Sequence, residues 1–430
     1  MGKEREQLLR LFREQEDYTN ERVAFGVEQY RKGRFNFTVV DAKGASVTGA
    51  KVSVKQKSHE FRVGANLFAL NEMENEEKSE EFKRLYADCF NIATLPFYWN
   101  AVEPKRGQTR FAKDSPHSYR RPAIDLCLEF CEQYNIEPKA HCLDYDFQTP
   151  AWYRNLNDVD SMRSALFDRF RQLSELYADR IPSWEVINEA LVPRDLRYHS
   201  EHFAQDDMLE WDFRTAERFF PKNKLIINEE QEDIWMDFRG NRSPYYMLIE
   251  RTLRNGCRID SIGMQFHVYK QEETYGKYMY SPMHLYRVMD KYADFNLPIQ
   301  ITESSIPCYE YGADEEIQAE ILKNLYSIWF SHPCMEAIIY WDFVDGYDWK
   351  PYNFGFVKKD LTPKPAYYVV RDLFKKTWHT ELETETKSAG VASFKAFYGD
   401  YEITVRANGK EVTQNRSLLK GGKRDFKITI

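Results

Sequence analysis

Between residues 61 and 341 the chain repeats one pattern. A short unbroken apolar run, rich in β-branched side chains, is followed by a longer charged stretch whose apolar positions recur at three and four residues. The runs are Phe61–Ala69, Cys89–Pro96, Pro138–Leu143, Ser183–Asn188, Lys224–Asn228, Ser261–Phe266, Ile299–Thr302 and Ala337–Trp341. Unbroken apolar runs of this length read as strands covered on both faces, and the stretches between them as amphipathic helices. Strands alternating with helices over about 300 residues fit an α/β fold, the (β/α)8 TIM barrel, in which functional groups gather at the C-terminal strand ends.

The two ends of the chain follow another period. Residues 5–30 read as an amphipathic helix, with Leu8, Leu9, Phe12, Val23 and Val27 among dense charges. Alternation then sets in at Phe35, Phe37 and Val39 and resumes at Val47, Val52 and Val54 after the turn-rich Asp41–Ser46. The C-terminus repeats it in Phe394 and Phe397, in Tyr401–Val405 before an Asn408-Gly409 hairpin turn, and in Phe426–Ile430. Neither end supplies enough strands for a sheet of its own. The expected organisation is therefore a barrel over 61–378 and one small β-sandwich module assembled from 1–60 and 379–430.

Composition narrows the function. The net charge of −8 is spread over interspersed residues, which argues against a nucleic-acid partner. Aromatic residues make up 15% of the chain, a supply suited to stacking on sugar rings. No apolar window of about 18 residues is present, so no transmembrane helix and no membrane partner are expected. The first twenty residues are charged and carry no leader pattern, so a cytoplasmic location is expected, or a secreted or periplasmic one if a leader has been trimmed. Seven cysteines, an odd number lying in apolar surroundings, read as reduced thiols. Cys127 and Cys131 have no second pair to complete a zinc site, and no phosphate loop or Ser-His-Asp arrangement is present, so no metal and no cofactor are implied.

Two glutamates stand out against this background. Trp184-Glu-Val-Ile-Asn-Glu189 and Pro298-Ile-Gln-Ile-Thr-Glu303 each end an apolar run on a carboxylate, where burial and charge conflict. A single such residue is more often an ion-pair partner. A pair facing each other across a cleft can cleave a glycosidic bond, one as acid and one as nucleophile.

The motifs around them resemble a known family. Trp184-Glu-Val-Ile-Asn-Glu189, Gly263-Met-Gln-Phe-His267, Ile301-Thr-Glu303 and Trp341-Asp-Phe-Val-Asp-Gly-Tyr-Asp-Trp349 are similar, in order, to the signatures of family 10 glycoside hydrolases, the xylanase family. Gln148-Thr-Pro-Ala-Trp152 and Trp99-Asn-Ala-Val-Glu-Pro104 are further matches. The resemblance implies that Glu189 is the general acid/base and Glu303 the nucleophile of a retaining mechanism on a carbohydrate substrate. It further implies that His267 bonds Glu303, that Asn188 grips the sugar 2-hydroxyl, that Gln265, His141 and Gln148 line the substrate cleft, and that Trp341 and Trp349 form its apolar wall. The plainer alternatives are a satisfied buried histidine for His267 and, about as readily as a site role, for His141, and ordinary core for the two tryptophans, whose spacing around Asp345 favours the cleft wall.

The chain departs from the family where the glycone binds. Asn-Glu-Met-Lys-Trp is replaced by Leu95-Pro-Phe-Tyr98-Trp99, and His-Thr-Leu-Val-Trp-His by His141-Cys-Leu-Asp-Tyr145-Asp146, so Tyr98, Tyr145 and Asp146 are expected to shape an altered glycone subsite. Three readings follow: an endo-β-1,4-xylanase with unusual subsites, the same machinery on another β-glycoside such as a decorated oligosaccharide or glycosylated small molecule, or a carbohydrate-binding protein without turnover. The pattern leaves the oligomeric state open.

Overall fold

The computed structural model describes residues 5–192, 200–268 and 272–430, with the side chains of 272–275 left aside. Helical turns over Glu6–Leu9, Arg10–Glu14 and Glu16–Tyr30 lead into strands β1 (Lys32–Val40) and β2 (Lys51–Gln56). A closed barrel follows, made of β3 (Arg62–Asn66), β4 (Ile92–Pro96), β5 (Glu137–His141), β6 (Ser183–Asn188), β7 (Lys224–Glu229), β8 (Ser261–His267), β9 (Ile299–Ser305) and β10 (Met335–Tyr340). Neighbours pair in parallel and in chain order, and β10 closes onto β3 through Ala337 opposite Arg62. β4, β6, β8 and β9 are buried along their whole length. Cover on both faces is why these strands read as unbroken apolar runs.

The helices between them start where short polar side chains cap them. Asn75 accepts the Lys78 backbone N–H at 2.9 Å at the head of Glu76–Cys89, and Asp158 accepts that of Ser161 at 2.7 Å at the head of Val159–Tyr177. Cys89, expected on a strand, is instead the last residue of its helix, because its apolar side chain completes the buried face made by Phe82, Leu85 and Tyr86. All seven cysteines are free thiols, and burial pushes those of Cys127 and Cys142 well above the usual range. Among the described residues no helix is long and apolar enough to cross a membrane.

Strands β11 (Glu381–Glu385), β12 (Val391–Phe397), β13 (Gly399–Ala407), β14 (Lys410–Leu418) and β15 (Asp425–Thr429) return to the N-terminal strands. They form two sheets of order β12-β1-β15 and β11-β2-β13-β14, so each sheet mixes both ends of the chain. Phe35, Phe37 and Val39 of β1 face Val52, Val54, Ile403 and Val405 in a core separate from that of the barrel. Phe37 stacks on Phe394 and Phe426 at 5.4 and 5.0 Å between ring centroids. The expected turn joins β13 to β14, with Asn408 at φ 52° and Gly409 at φ 73°, the pair of left-handed residues a tight hairpin needs.

His59 sits at the joint between module and barrel, packed among Phe330, Phe374 and Phe397. Its Nδ1 accepts the Phe61 N–H at 3.2 Å and its Nε2 donates to the Trp378 carbonyl at 3.1 Å, so the neutral ring is satisfied and has no place for a second proton. Burial lowers its pKa to about 3. The unfolded chain takes up this proton below about pH 6.5, so the stability held by the neutral ring is complete above that pH and drains away as the pH falls towards 3. Urea titrations from pH 6.5 down to about 5, above the carboxylate range, are expected to show falling stability in the unaltered protein and a shallower fall in His59→Gln. Equal slopes would remove His59 from the acid response.

Candidate active site

Glu303 lies near the C-terminal end of β9 and is 5% exposed. Its Oε1 accepts the Asn228 amide at 3.2 Å, and its Oε2 faces His267 Nε2 at 3.2 Å. The Ser305 hydroxyl gives its single hydrogen to the Trp341 carbonyl, so the bond of 2.8 Å between Ser305 and His267 has the ring Nδ1 as donor. Nε2 of the same ring faces Glu303, so the histidine is held between the Ser305 hydroxyl and the carboxylate. Trp349 covers the histidine at 4.9 Å between ring centroids.

Glu189 follows β6 in the left-handed conformation, at φ 57°. Its backbone N–H donates to the Asn228 carbonyl at 3.1 Å. Its carboxyl oxygens accept from two directions, Oε2 from the Tyr145 hydroxyl at 2.7 Å and Oε1 from the Gln265 amide at 3.0 Å. Gln265 also donates to Asn188 Oδ1 at 3.2 Å, and Asn228 donates to the same oxygen at 2.7 Å. Asn188 is therefore fixed by its oxygen, with the amide nitrogen turned the other way. The two glutamates are linked through the amides of Gln265, Asn188 and Asn228.

Both strands that carry these glutamates are bulged, and the bulges aim the side chains. Glu185 pairs with Ile226 but Ile187 with Ile227, and Met264 pairs with Ile301 but Gln265 with Glu303, so β6 and β9 each hold one extra residue. The insertion reverses the in-out alternation, which lets Glu185 and Asn188, three residues apart, both reach the Asn228 amide, at 3.5 and 2.7 Å. The residue inserted on β9 has a use: Thr302 Oγ1 donates to Asn228 Oδ1 at 2.5 Å. Gly263 makes room for this junction, since a Cβ there would lie 2.6 Å from Asn228 Oδ1 and 2.8 Å from the Ile227 carbonyl.

A buried ionic layer lies behind the pair. Glu185 is fully buried between Lys139 and His141, each within hydrogen-bonding reach of one carboxylate oxygen. Burial alone would raise its pKa, but the Lys139 charge and then the His141 contact outweigh it and hold the carboxyl below its ordinary range. With Nδ1 bound to Glu185, His141 faces the Tyr98 hydroxyl through Nε2 at 3.2 Å. Tyr98, Trp341 and Phe68 form an aromatic cluster beside the histidine, with Trp341 5.3 Å from the His141 ring.

The structure thus brings Glu189, Glu303, Asn188, Gln265, His267, His141, Tyr98, Tyr145, Trp341 and Trp349 to one cleft. It does not bring Asp146 and Gln148 to the glutamates. Asp146 is buried, and both its oxygens accept the Ser200 backbone N–H at 3.1 and 3.2 Å. Gln148 accepts the Asn100 amide at 2.9 Å on the rim. Leu95 and Phe97 are fully buried, and Phe97 packs on Trp184 at 5.1 Å, so Tyr98 alone of that segment offers a polar group to the cleft. The sequence places Asn228 at a C-terminal strand end with the two glutamates but gives it no specific role, and it singles out neither Lys139 nor Glu185. Their signal is a charged or amide side chain within strands whose inner positions are buried.

Among the described residues two groups could hold a cation: His141, Glu185 and Glu303, and Asp144, His202 and Asp212, each with its ligand atoms within 4.8 Å of one another. In both, a basic side chain already supplies positive charge, Lys139 to Glu185 and Arg163 to His202 Nδ1 at 3.3 Å. The donor sets suit proton-sharing networks better than a metal.

Comparison with known proteins agrees with this geometry. Over 401 residues the chain is 25% identical to the anti-sigma-I factor RsgI6 of Acetivibrio thermocellus, covering 92% of this chain and 47% of that protein. It is 24% identical to endo-1,4-beta-xylanase 2 of Arabidopsis thaliana over 385 residues, 88% of this chain and 32% of that one. The chain thus spans half or less of these relatives. The crystal structure of xylanase 10B from Thermotoga petrophila RKU-1 in complex with xylobiose superposes with a TM-score of 0.60 at 23% identity, over 74% of this chain and 95% of that one, and shares the fold. The model of glycosyl hydrolase family 10 matches residues 55–373, nearly the whole barrel with its eight strand ends, and the chain belongs to that family.

Proposed function

We propose that the protein is a retaining glycoside hydrolase that cleaves β-glycosidic bonds of xylan or xylo-oligosaccharides by double displacement. The observation that carries this reading is the linkage of Glu189 and Glu303 across one cleft through Asn188, Gln265 and Asn228. Glu303, paired with His267, attacks the anomeric carbon while Glu189 protonates the departing oxygen. A glycosyl ester on Glu303 and a free aglycone result. Glu189, now ionised, removes a proton from water, which attacks the same carbon and releases Glu303. Tyr145 and Gln265 donate to the Glu189 carboxyl, and both bonds strengthen as the acid gives up its proton and becomes charged. The Asn188 nitrogen is turned to grip the sugar 2-hydroxyl, a contact that tightens in the transition state.

A second reading, the same chemistry on another β-glycoside, is favoured by one observation: Leu95 and Phe97 are spent on the core and leave the glycone side with aromatic surface rather than polar anchors. Hydrolysis of aryl β-xylobioside, aryl β-xyloside, aryl β-glucoside and polymeric xylan, beside Glu303→Ala as the blank, separates the two. Release from xylobioside and xylan with retained anomeric configuration is expected. Turnover confined to a monosaccharide glycoside would move the assignment to the second reading, and inversion would overturn the mechanism.

A further inference from the structure

On the glycone side the aromatic cluster carries a cation that has no carboxylate of its own among the described residues. Phe68 packs edge to face on Tyr98 and Trp341, with ring centroids 5.6 and 4.9 Å apart. The Arg121 guanidinium lies over this surface, its central carbon 4.2 Å from the Tyr98 centroid and 5.0 Å from that of Phe68. Its Nη1 donates to the Arg120 carbonyl at 2.7 Å. Of the ionisable groups that act on it, Tyr98, Arg120 and Asp342, only Asp342 is a carboxylic acid. That carboxylate is already occupied: Oδ2 accepts Arg120 Nη2 at 2.7 Å and the Trp349 N–H at 2.8 Å, and Oδ1 accepts the Asn66 amide at 2.5 Å. Two guanidinium groups thus share one carboxylate, and the uncompensated charge is the one that faces the rings.

Burial holds the Arg121 guanidinium below the ordinary arginine range, the mark of a charge taken out of water without an acidic partner. Stacking on Tyr98 and Phe68 offsets part of that cost through the ring quadrupoles, but a ring face does not use the in-plane N–H groups, of which the described residues engage only Nη1, through the Arg120 carbonyl. A planar fork in this state matches a carboxylate with two parallel hydrogen bonds. The position fits a substrate contact, since Tyr98 touches both Arg121 and His141, the latter 5.2 Å away between ring centroids, with His141 next to Glu303. An anionic substrate meets repulsion from two glutamates and a net charge of −8, and a cation on the glycone side answers it.

We propose that Arg121 receives a carboxylate of the glycone, so that the substrate class is an acidic β-glycoside: a xylo-oligosaccharide whose sugar over Tyr98 bears a uronic acid. The inference rests on the hydrolase reading above and names the substrate of that same cleft. The test compares xylotriose carrying a glucuronic acid branch on its non-reducing sugar with the carboxyl-reduced counterpart, in which glucose replaces the acid. The ratio of kcat/KM, acidic over neutral, is expected to be about 10 to 100 in the unaltered protein, the usual range for a charge-assisted pair. It falls to about 1 in Arg121→Gln and keeps part of its value in Arg121→Lys, where the charge remains and the fork is lost. A ratio near 1 in the unaltered protein, or a ratio that Arg121→Gln leaves unchanged, overturns the proposal. Calorimetric binding of the same pair to Glu303→Ala tells the two claims apart. Acid-selective binding without hydrolysis of either sugar by the unaltered protein would sink the hydrolase reading and keep Arg121. Equal hydrolysis of both would do the reverse, and absence of both binding and hydrolysis would remove the Arg121 assignment.

Discussion

Replacement of Glu303 by alanine is expected to lower turnover of an aryl β-xylobioside by about 10⁵-fold, the scale on which loss of a covalent nucleophile is felt. The fold should survive, because the neighbours left behind, His267 and Asn228, keep their bonds to Ser305, Thr302 and Asn188. Azide added to this variant occupies the space of the missing carboxylate and attacks the anomeric carbon once, which yields the α-glycosyl azide. In Glu189→Ala the ester on Glu303 still forms, and azide opens it to the β-glycosyl azide. That variant should lose about 10²- to 10⁴-fold on xylan, whose leaving group needs a proton, and far less on a dinitrophenyl glycoside, which departs unassisted. Product azides of the opposite anomeric forms would exchange the two roles, and full activity in either variant would dissolve the assignment.

The second large effect lies behind the pair, at the ion pair of Lys139 and Glu185. Both side chains are fully buried, so removal of one charge strands the other in the barrel core. Lys139→Met is expected to cost about 3–5 kcal/mol, the range for breaking a buried pair from one side. Adding Glu185→Gln should restore most of that loss, because the neutral amide leaves no charge unpaired and still reaches His141 and Asn228. Urea unfolding of the two variants decides the matter. A double variant less stable than Lys139→Met alone would show that Glu185 works through its other contacts and not through the lysine.

Much of this arrangement is legible in the sequence, for a physical reason. Strands buried on both faces must be apolar throughout, so Ser183–Asn188 is read to the residue and Ile299–Thr302 is recognised, although its strand runs on to Ser305. The polar ends of β8 and β9, His267 and Ser305, escape such a reading because apolarity stops where the cleft begins. The left-handed Asn408-Gly409 turn is visible because side chains rarely tolerate that backbone and these two do. The aim of the site residues is not visible. Alternation along a strand would put Glu185 and Asn188 on opposite sides, and only the bulge on β6 reconciles them, a displacement that no residue type announces. The same holds for Asp146: standing where the family motif has its second histidine, it reads as a cleft group, yet the backbone of Ser200, distant in sequence, claims it.

The mixed sheets of the small module impose an order in time. β1 finds its partners in β12 and β15, and β2 in β11 and β13, all made after the last barrel strand. During synthesis β1 and β2 therefore leave the ribosome before the barrel, while the strands they pair with, within Glu381–Thr429, emerge after it. The intervening barrel can close first and bring its two flanking segments together, so strands made before the barrel are paired only after it.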